Sequence, residues 1–335
     1  MPEELDSWLK DAFQADSLSV DKITVLDGGA VQENSALDVT VQGGPHDGRH
    51  RWALRKQPPS PLIGSWPKDH ELTIIQAAYD AGVPVPKPLA LCMDGSIIGA
   101  PFIILEFLDG FAGGRRIVRD PVIDDMGPAL ASEIGEAMAK LHSVTPPNPA
   151  LNFIELGGDR PVNRRIRLYR EQLDLLDDRH PVLEFVLSWL DRHQPAEQRY
   201  TLIHNDFRTG NYMIRDGKLA GILDWEIADW GDPREDLGYF CAKCWRFGNI
   251  HKEAGGIAPR AALYDGYNAA TEHPVEIDGS PFWEVMGAMR WAVIALLQGH
   301  RHLSGEQRSL ELALTPRIVP EMELDMLNLI EGLKS

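Results

Sequence analysis

The sequence predicts a two-lobed α+β protein, and three observations carry that prediction. The first third alternates short β-branched and aromatic runs with Gly and Pro turns. From Asp109 onward apolar residues recur mostly at helical spacing, with proline clusters between the segments. Between the two regimes lies a continuous apolar run, 102–107, as expected of a strand buried on both faces. We therefore expect a small antiparallel-sheet lobe over 1–108, a linker at about 105–110, and a larger, mainly helical lobe over 109–335.

In chain order, Leu5, Trp8, Leu9 and Phe13 share one face of a short amphipathic helix. Residues 23–26 begin strand character and lead into a glycine-containing loop that includes Gly28, Gly29 and Ser35. Strands over 36–41 and 49–56 flank the turn 43–48, which lacks the Lys-Ser/Thr ending of a P-loop and reads as a hairpin. Pro58, Pro59 and Pro61 stop the second strand. A helix follows over 68–81, with Leu72, Ile75, Ala78 and Tyr79 on one face, and then proline-spaced extended chain over 83–91. In the second lobe the spacing predicts helices over 128–142, 164–176 and 181–193. Further helices start near Pro233, Pro259, Pro281 and Glu306.

Composition narrows the function class. Hydrophobic residues make up 44% and charged residues 25%, ordinary values for a globular protein. A net charge of −17 argues against nucleic acid as a partner, because that binding is dominated by Lys and Arg on phosphate. The longest apolar run, 291–297, is far short of the roughly 20 residues that span a bilayer. Residues 1–10 are acidic and amphipathic, unlike a signal peptide, and three cysteines form no disulfide framework. Together these lead us to expect a cytoplasmic location with no membrane partner.

The chemistry concentrates in 202–226, LIHNDFRTGNYMIRDGKLAGILDWE. Four residues separate Asp206 from Asn211, so one loop can aim a carboxylate at a substrate hydroxyl and an amide oxygen at a metal. Strands over 212–214 and 219–223 pair across Asp216-Gly217, a dipeptide suited to a tight turn. That hairpin returns the chain and brings Asp224 close to Asn211. Two such oxygen donors suit Mg²⁺, which completes its shell with phosphate and water.

His204-x-Asp206-x-x-x-x-Asn211, followed after a hairpin by Asp224-Trp225-Glu226, resembles the aminoglycoside phosphotransferase and choline kinase-like family of the protein-kinase-like fold. Within it the chain is similar to phosphotransferase domains related to those fused to acyl-CoA dehydrogenases, which the 231–237 run GDPREDL also resembles. The resemblance implies ATP and Mg²⁺ as cofactors, a small-molecule hydroxyl as acceptor, Asp206 as base, and Asn211 and Asp224 as metal ligands. His204 would be architectural. It also implies a basic strand residue under the phosphates, Arg55 by preference with its neighbour Lys56 as the runner-up, anchored by Glu71. Gly28, Gly29 and Ser35 would cover the phosphates, and the main chain of Glu106 and Leu108 would meet the adenine. Two other readings are a nucleotide-binding pseudokinase acting as a regulatory module, and a protein kinase. The intact Asp206, Asn211 and Asp224 set speaks against the first, and the lack of an Ala-Pro-Glu motif against the second. The motif does not name the acceptor.

Other features have structural explanations. Asp232, Pro233 and Glu235 read as a capping box, with Asp236 in the first helical turn. Cys241 and Cys244 lack the further ligands of a zinc site and read as packed thiols within a helical pattern. Most of Trp225, Trp230, Trp245, Trp283 and Trp291 are expected in the core. Arg164, Arg165 and Arg167 are expected on a solvated helix face beside acids.

Overall fold

The computed structural model describes residues 2–26 and 34–333. Helix α1 (Pro2–Ala12) precedes strands β1 (Ser17–Val25), β2 (Asn34–Gln42) and β3 (Gly48–Lys56), and α2 (Lys68–Asp80) precedes β4 (Pro88–Cys92) and β5 (Phe102–Glu106). The five strands form one antiparallel sheet in the order β1-β2-β3-β5-β4. Leu5 and Leu9 of α1, with Phe13 just after it, cover one face, against Leu37, Val39, Trp52, Phe102 and Ile104. Ile74, Ile75 and Ala78 of α2 cover the other, with Ile103 and Leu105. Successive residues of β5 thus enter opposite cores, which is why the run is apolar without alternation.

The larger lobe contains α3 (Gly114–Arg119), α4 (Val122–Leu141), α5 (Pro161–Leu173), α6 (Pro181–Arg192), β6 (Thr201–Ile203), β7 (Tyr212–Arg215), β8 (Lys218–Ile222), β9 (Asp229–Gly231), α7 (Pro233–Cys241), α8 (Arg260–Ala269), α9 (Ser280–Leu303), α10 (Leu310–Leu314) and α11 (Val319–Gly332). This is the kinase-like α+β architecture the sequence predicts. Helices α4 and α8 pack around the core that holds β6 to β8, while α5, α6, α9 and α11 build a second apolar cluster. Gly135 and Gly266 let α4 and α8 touch along their backbones. A Cβ on Gly135 would stand 2.2 Å from the Leu263 carbonyl oxygen, and one on Gly266 2.2 Å from that of Ser132.

Several boundaries differ from expectation. Helix α4 starts at Val122 and carries Pro128 inside it, although proline normally breaks a helix interior. Its first turns are held by tertiary contact: Ile123 is buried, and Gly127 lies against the Ile257 carbonyl. Helix α5 starts at Pro161, where the missing N–H has no intrahelical partner to lose, and ends at Leu173. The C-terminal region is not one helix, since a 3-10 turn over Thr315–Ile318 with Pro316 divides α10 from α11. Arg165 is buried rather than solvated, paired with Glu235 at 2.6 Å and Asp229 at 3.4 Å. Cys241 closes α7, so the two thiols do not share a helix; both are free, and burial pushes both up.

The β7–β8 hairpin follows its turn chemistry. Asp216 and Gly217 both take positive φ, 53° and 76°, the left-handed pair that matches the twist of two adjoining strands. Gly221 of β8 makes room for the linker, because a Cβ there would meet Leu108 Cδ1 at 2.3 Å. The Ile222 N–H donates to the Pro84 carbonyl at 2.8 Å, and Phe111 and Ile214 exchange two backbone bonds of 3.0 Å. The hairpin is therefore hydrogen-bonded to chain on both sides of the linker.

Candidate active site

The loop after β6 is held by the start of α7. Asp232 and Glu235 form the expected capping box, which places Asp236 in the first turn. The Asp236 carboxylate accepts from the backbone N–H groups of His204 and Asn205 at 2.7 and 2.8 Å, and from His142 Nε2 at 3.2 Å. Burial alone would raise its pKa, but the hydrogen bonds from His142 and from the His204 backbone N–H hold the carboxyl below the ordinary aspartate value. Asn205 adopts φ 66°, which turns the chain out of the strand. Its side chain bonds the Ile227 carbonyl at 2.7 Å and accepts from Arg290.

His204 ties the loop to the far end of the hairpin. Its Nε2 donates to the Leu223 carbonyl at 2.7 Å, and its Nδ1 accepts the Asp206 N–H at 3.2 Å. A carbonyl can only accept and an amide N–H can only donate, so these partners specify the neutral Nε2–H tautomer. One ring thereby links the residue before Asp224 to the backbone of Asp206. That is the architectural position expected for it.

Asp206 and Asn211 meet directly. Asn211 Nδ2 donates to the Asp206 carbonyl at 2.9 Å and to Asp206 Oδ2 at 2.6 Å, while Tyr239 O–H donates to Oδ1 at 3.0 Å. With its amide nitrogen turned to Asp206, Asn211 keeps its amide oxygen as the available donor atom for a cation. The Asn211 carbonyl accepts from the Leu223 N–H at 2.8 Å, bringing Asp224 alongside. Asp206, Asn211 and Asp224 line one cleft of about 590 Å³, together with Asn34, Arg55 and Glu226.

Arg55 reaches this cleft from β3. Its Nε lies 2.7 Å from Glu71 Oε1, and its Nη2 lies 2.5 Å from Asp224 Oδ1. It is Arg55, and not Lys56, that joins these two acids. Burial would lower the Arg55 pKa, but Glu71, Asp224 and Glu226 outweigh it and keep the guanidinium charged. The crowded surroundings push the Asp224 carboxyl up, yet Arg55 holds it below its usual value. Glu226 is pushed up to about 7, first by burial and then by the Asp224 carboxylate.

The remaining expectations divide. Gly28 and Gly29 lie outside the described residues. Ser35 sits on β2 opposite Leu54, one residue from the Asn34–Arg55 pair, and it is Asn34 that lines the cleft. Glu106 ends β5 exposed, with its N–H given to the Lys87 carbonyl at 2.9 Å, and Leu108 packs on Gly221. Neither is among the described residues lining the cleft. Three participants were not foreseen. Lys68 is buried, pairs with Glu71 Oε2 at 2.5 Å, and burial lowers its pKa. Tyr239 holds Asp206, and Arg208 stands beside it. Lys68 had a readable signal in its spacing of three from Glu71 on one helix; Tyr239 had none. Of the tryptophans, Trp225, Trp230, Trp245 and Trp283 are buried, whereas Trp291 borders the cleft.

The fold is of the kinase-like class. The chain belongs to the phosphotransferase enzyme family, whose defining pattern matches residues 22–277. Among characterised sequences it is 34% identical over 196 residues to acyl-CoA dehydrogenase family member 10 of Mus musculus, a match covering 56% of this chain and 18% of the mouse protein. The chain thus corresponds to a minor part of that relative's length. Among solved structures it is similar to a Ralstonia eutropha protein assigned to the aminoglycoside phosphotransferases, with TM-score 0.75, 23% identity and 98% of each chain covered. It is also similar to the aminoglycoside phosphotransferase APH(2")-IIIa in complex with GDP and kanamycin, with TM-score 0.65, 18% identity, and coverage of 95% of this chain and 98% of that one. Among the described residues no helix is long and apolar enough to cross a membrane.

Proposed function

We propose that this protein transfers the γ-phosphoryl group of ATP to a hydroxyl of a small molecule, with Asp206 as the base. The observation that carries the reading is the convergence of Asp206, Asn211, Asp224 and Arg55 on one cleft, from three separate elements. Asp206 is oriented through both carboxylate oxygens, by Tyr239 and Asn211, so its position is set before substrate arrives. An acceptor hydroxyl approaching it would be aligned for attack and relieved of its proton as the new bond forms.

The donor set fits Mg²⁺: the Asn211 amide oxygen and the Asp224 carboxylate are hard oxygen ligands, and nucleotide phosphates and water complete such a shell. When bound, the cation would neutralise charge on the phosphates. Arg55, held by Glu71 and kept charged, would add a fixed positive group beneath them. Glu106 and Leu108 are retained as main-chain contacts to adenine, and Gly28, Gly29 and Ser35 as the phosphate-covering loop. The lobe boundary near 108 is likewise part of this proposal. Domain analogy supports these roles without assigning an acceptor.

The test is an ADP-release assay over a panel of amino sugars, macrolides, choline-like amines and hydroxy acids. Asp206→Ala should lower turnover by at least about 10³-fold and leave nucleotide affinity within about threefold, the pattern for loss of a group that acts in the transition state. Wild-type turnover by that variant removes Asp206 from the role of base.

A further inference from the structure

A second pocket opens beside the catalytic cleft. It holds about 450 Å³ and shares Leu62, Ile227, Ile294 and Gln298 with the cleft, so the two are continuous. Trp66 ahead of α2 and Leu168 of α5 add to its mainly apolar wall. Asn205, the residue before Asp206, lines it as well. A molecule seated there lies next to the proposed base.

Four arginines border this pocket, and three of them have a carboxylate. Arg164 pairs with Asp229, Arg165 with Asp229 and Glu235, and Arg301 with Glu306. Arg290 of α9 differs. It is only 8% exposed, and among the described residues no carboxylate stands within ion-pair distance of it. Its Nη1 donates to the neutral Asn205 amide oxygen, its guanidinium lies 5.8 Å from the centroid of the Tyr239 ring, and its Nε is buried without a partner. Tyr169 and Tyr239 beside it bring no charge, because burial pushes both hydroxyls up. Glu235 and Asp236 border a small adjoining cavity with Arg290, but both are spent, Glu235 on Arg165 and Asp236 on His142 and the loop backbone.

A guanidinium keeps its charge in proteins, and a buried charge without a counter-ion is costly. An anion entering the pocket would offset that cost, whereas an amine would set a second cation beside the first. An apolar pocket with one such charged group is the ordinary form of a small-molecule site. We propose that this pocket seats the acceptor, and that the acceptor is a hydroxy acid with an apolar body, its carboxylate paired with Arg290. The proposal rests on the phosphotransfer reading above and makes Arg290 a specificity-determining residue. In the transfer, the acceptor oxygen bonds to the γ-phosphorus as its proton passes to Asp206. The bond from the γ-phosphorus to the β,γ-bridging oxygen breaks, and its electron pair leaves with ADP. The carboxylate takes no part beyond anchoring.

The experiment uses ligands matched in length and different in charge. Calorimetry measures binding of butyrate, hexanoate and octanoate, of their primary amides, and of the corresponding alkylamines, to wild type, Arg290→Met and Arg290→Lys. Thermal unfolding is recorded for each variant. ADP release is then measured with the ω-hydroxy derivatives of the same compounds. In wild type the best carboxylate should bind at least about tenfold tighter than its amide, the amine should bind weakest, and kcat/KM should follow the same order. Arg290→Met should erase the carboxylate preference, and Arg290→Lys should keep part of it. A purely structural Arg290 would change all three ligand classes alike. The proposal falls if wild type binds amide or amine as well as carboxylate, a comparison that needs no variant to fold. It also falls if the preference survives in Arg290→Met, or if the hydroxy amides or amino alcohols are the better acceptors. If the carboxylate preference depends on Arg290 and yet no hydroxy compound releases ADP, the anion site is upheld and the phosphotransfer reading falls instead.

Discussion

Asp236 shows how one side chain outside the cleft sets the position of the residues inside it. It accepts two backbone N–H groups of the loop that presents Asp206, and one hydrogen bond from His142. Because its folded pKa lies below the unfolded value of about 3.9, the stability it contributes is fully present above that pH. The contribution is lost as pH falls through the still lower folded pKa. Asp236→Asn removes the charge and keeps a single acceptor oxygen, so it should cost about 3 kcal/mol near neutral pH. Denaturant unfolding at pH 6, 4 and 3 checks this. The gap between wild type and variant should narrow once the pH drops below 4, and a gap independent of pH would refute the electrostatic account.

At the scale of elements, close approach outweighs propensity in the α4–α8 pair. Replacing Gly135 with Ala raises intrinsic helix propensity by about 1 kcal/mol. The added Cβ, however, would lie 2.2 Å from the Leu263 carbonyl and 2.6 Å from the Tyr267 nitrogen, backbone atoms that cannot swing aside. Separating two packed helices costs roughly 1–3 kcal/mol, so Gly135→Ala should be destabilising on balance by about 1–2 kcal/mol. The exposed neighbour offers the control: Glu136→Ala should shift Tm little. Equal Tm values for the two variants would mean that α4 and α8 can move apart freely. The same reasoning explains why α4 runs through Pro128, where burial of Ile123 and contact at Gly127 decide what propensity opposes.

Across the whole molecule, the sheet lobe and the helical lobe are joined by charge as well as by the linker. Arg55 on β3 reaches Asp224 beyond β8. The chain ahead of α2 is bound at two points: Trp66 donates to the Glu226 and Ala228 carbonyls, both at 2.7 Å, and Ser60 accepts from Arg301 at 2.8 Å. Asp224 therefore has two partners to serve, a guanidinium in this structure and a cation in the proposed complex. Asp224→Ala should weaken magnesium-dependent nucleotide binding by at least about tenfold, or ~1.4 kcal/mol. In excess EDTA the wild-type protein should bind no better than the variant. Calorimetric titration with and without Mg²⁺ measures both, and an unchanged magnesium dependence would remove Asp224 from the metal site.

How much of this was legible in the sequence follows from the range of each interaction. Turn and cap chemistry is local, so Asp216-Gly217 and the Asp232–Glu235 box were readable residue by residue, as was the spacing of Asp206, Asn211 and Asp224. The apolar run of β5 was readable because burial on both faces leaves no alternation. Contacts across long separations were not. Tyr239 reaches Asp206 over 33 residues, and Arg55 chooses Asp224 over 169. Nothing local distinguishes Tyr239 from a core aromatic, since its role depends on which atoms packing brings within reach. By itself the sequence determined the two-lobe order, the hairpin and the constellation around Asp206. Tertiary structure alone decided that Lys68 shares Glu71 and that Arg165 is buried against Asp229 and Glu235. Those outcomes depend on where buried charges find partners, and partners in a folded chain are neighbours in space.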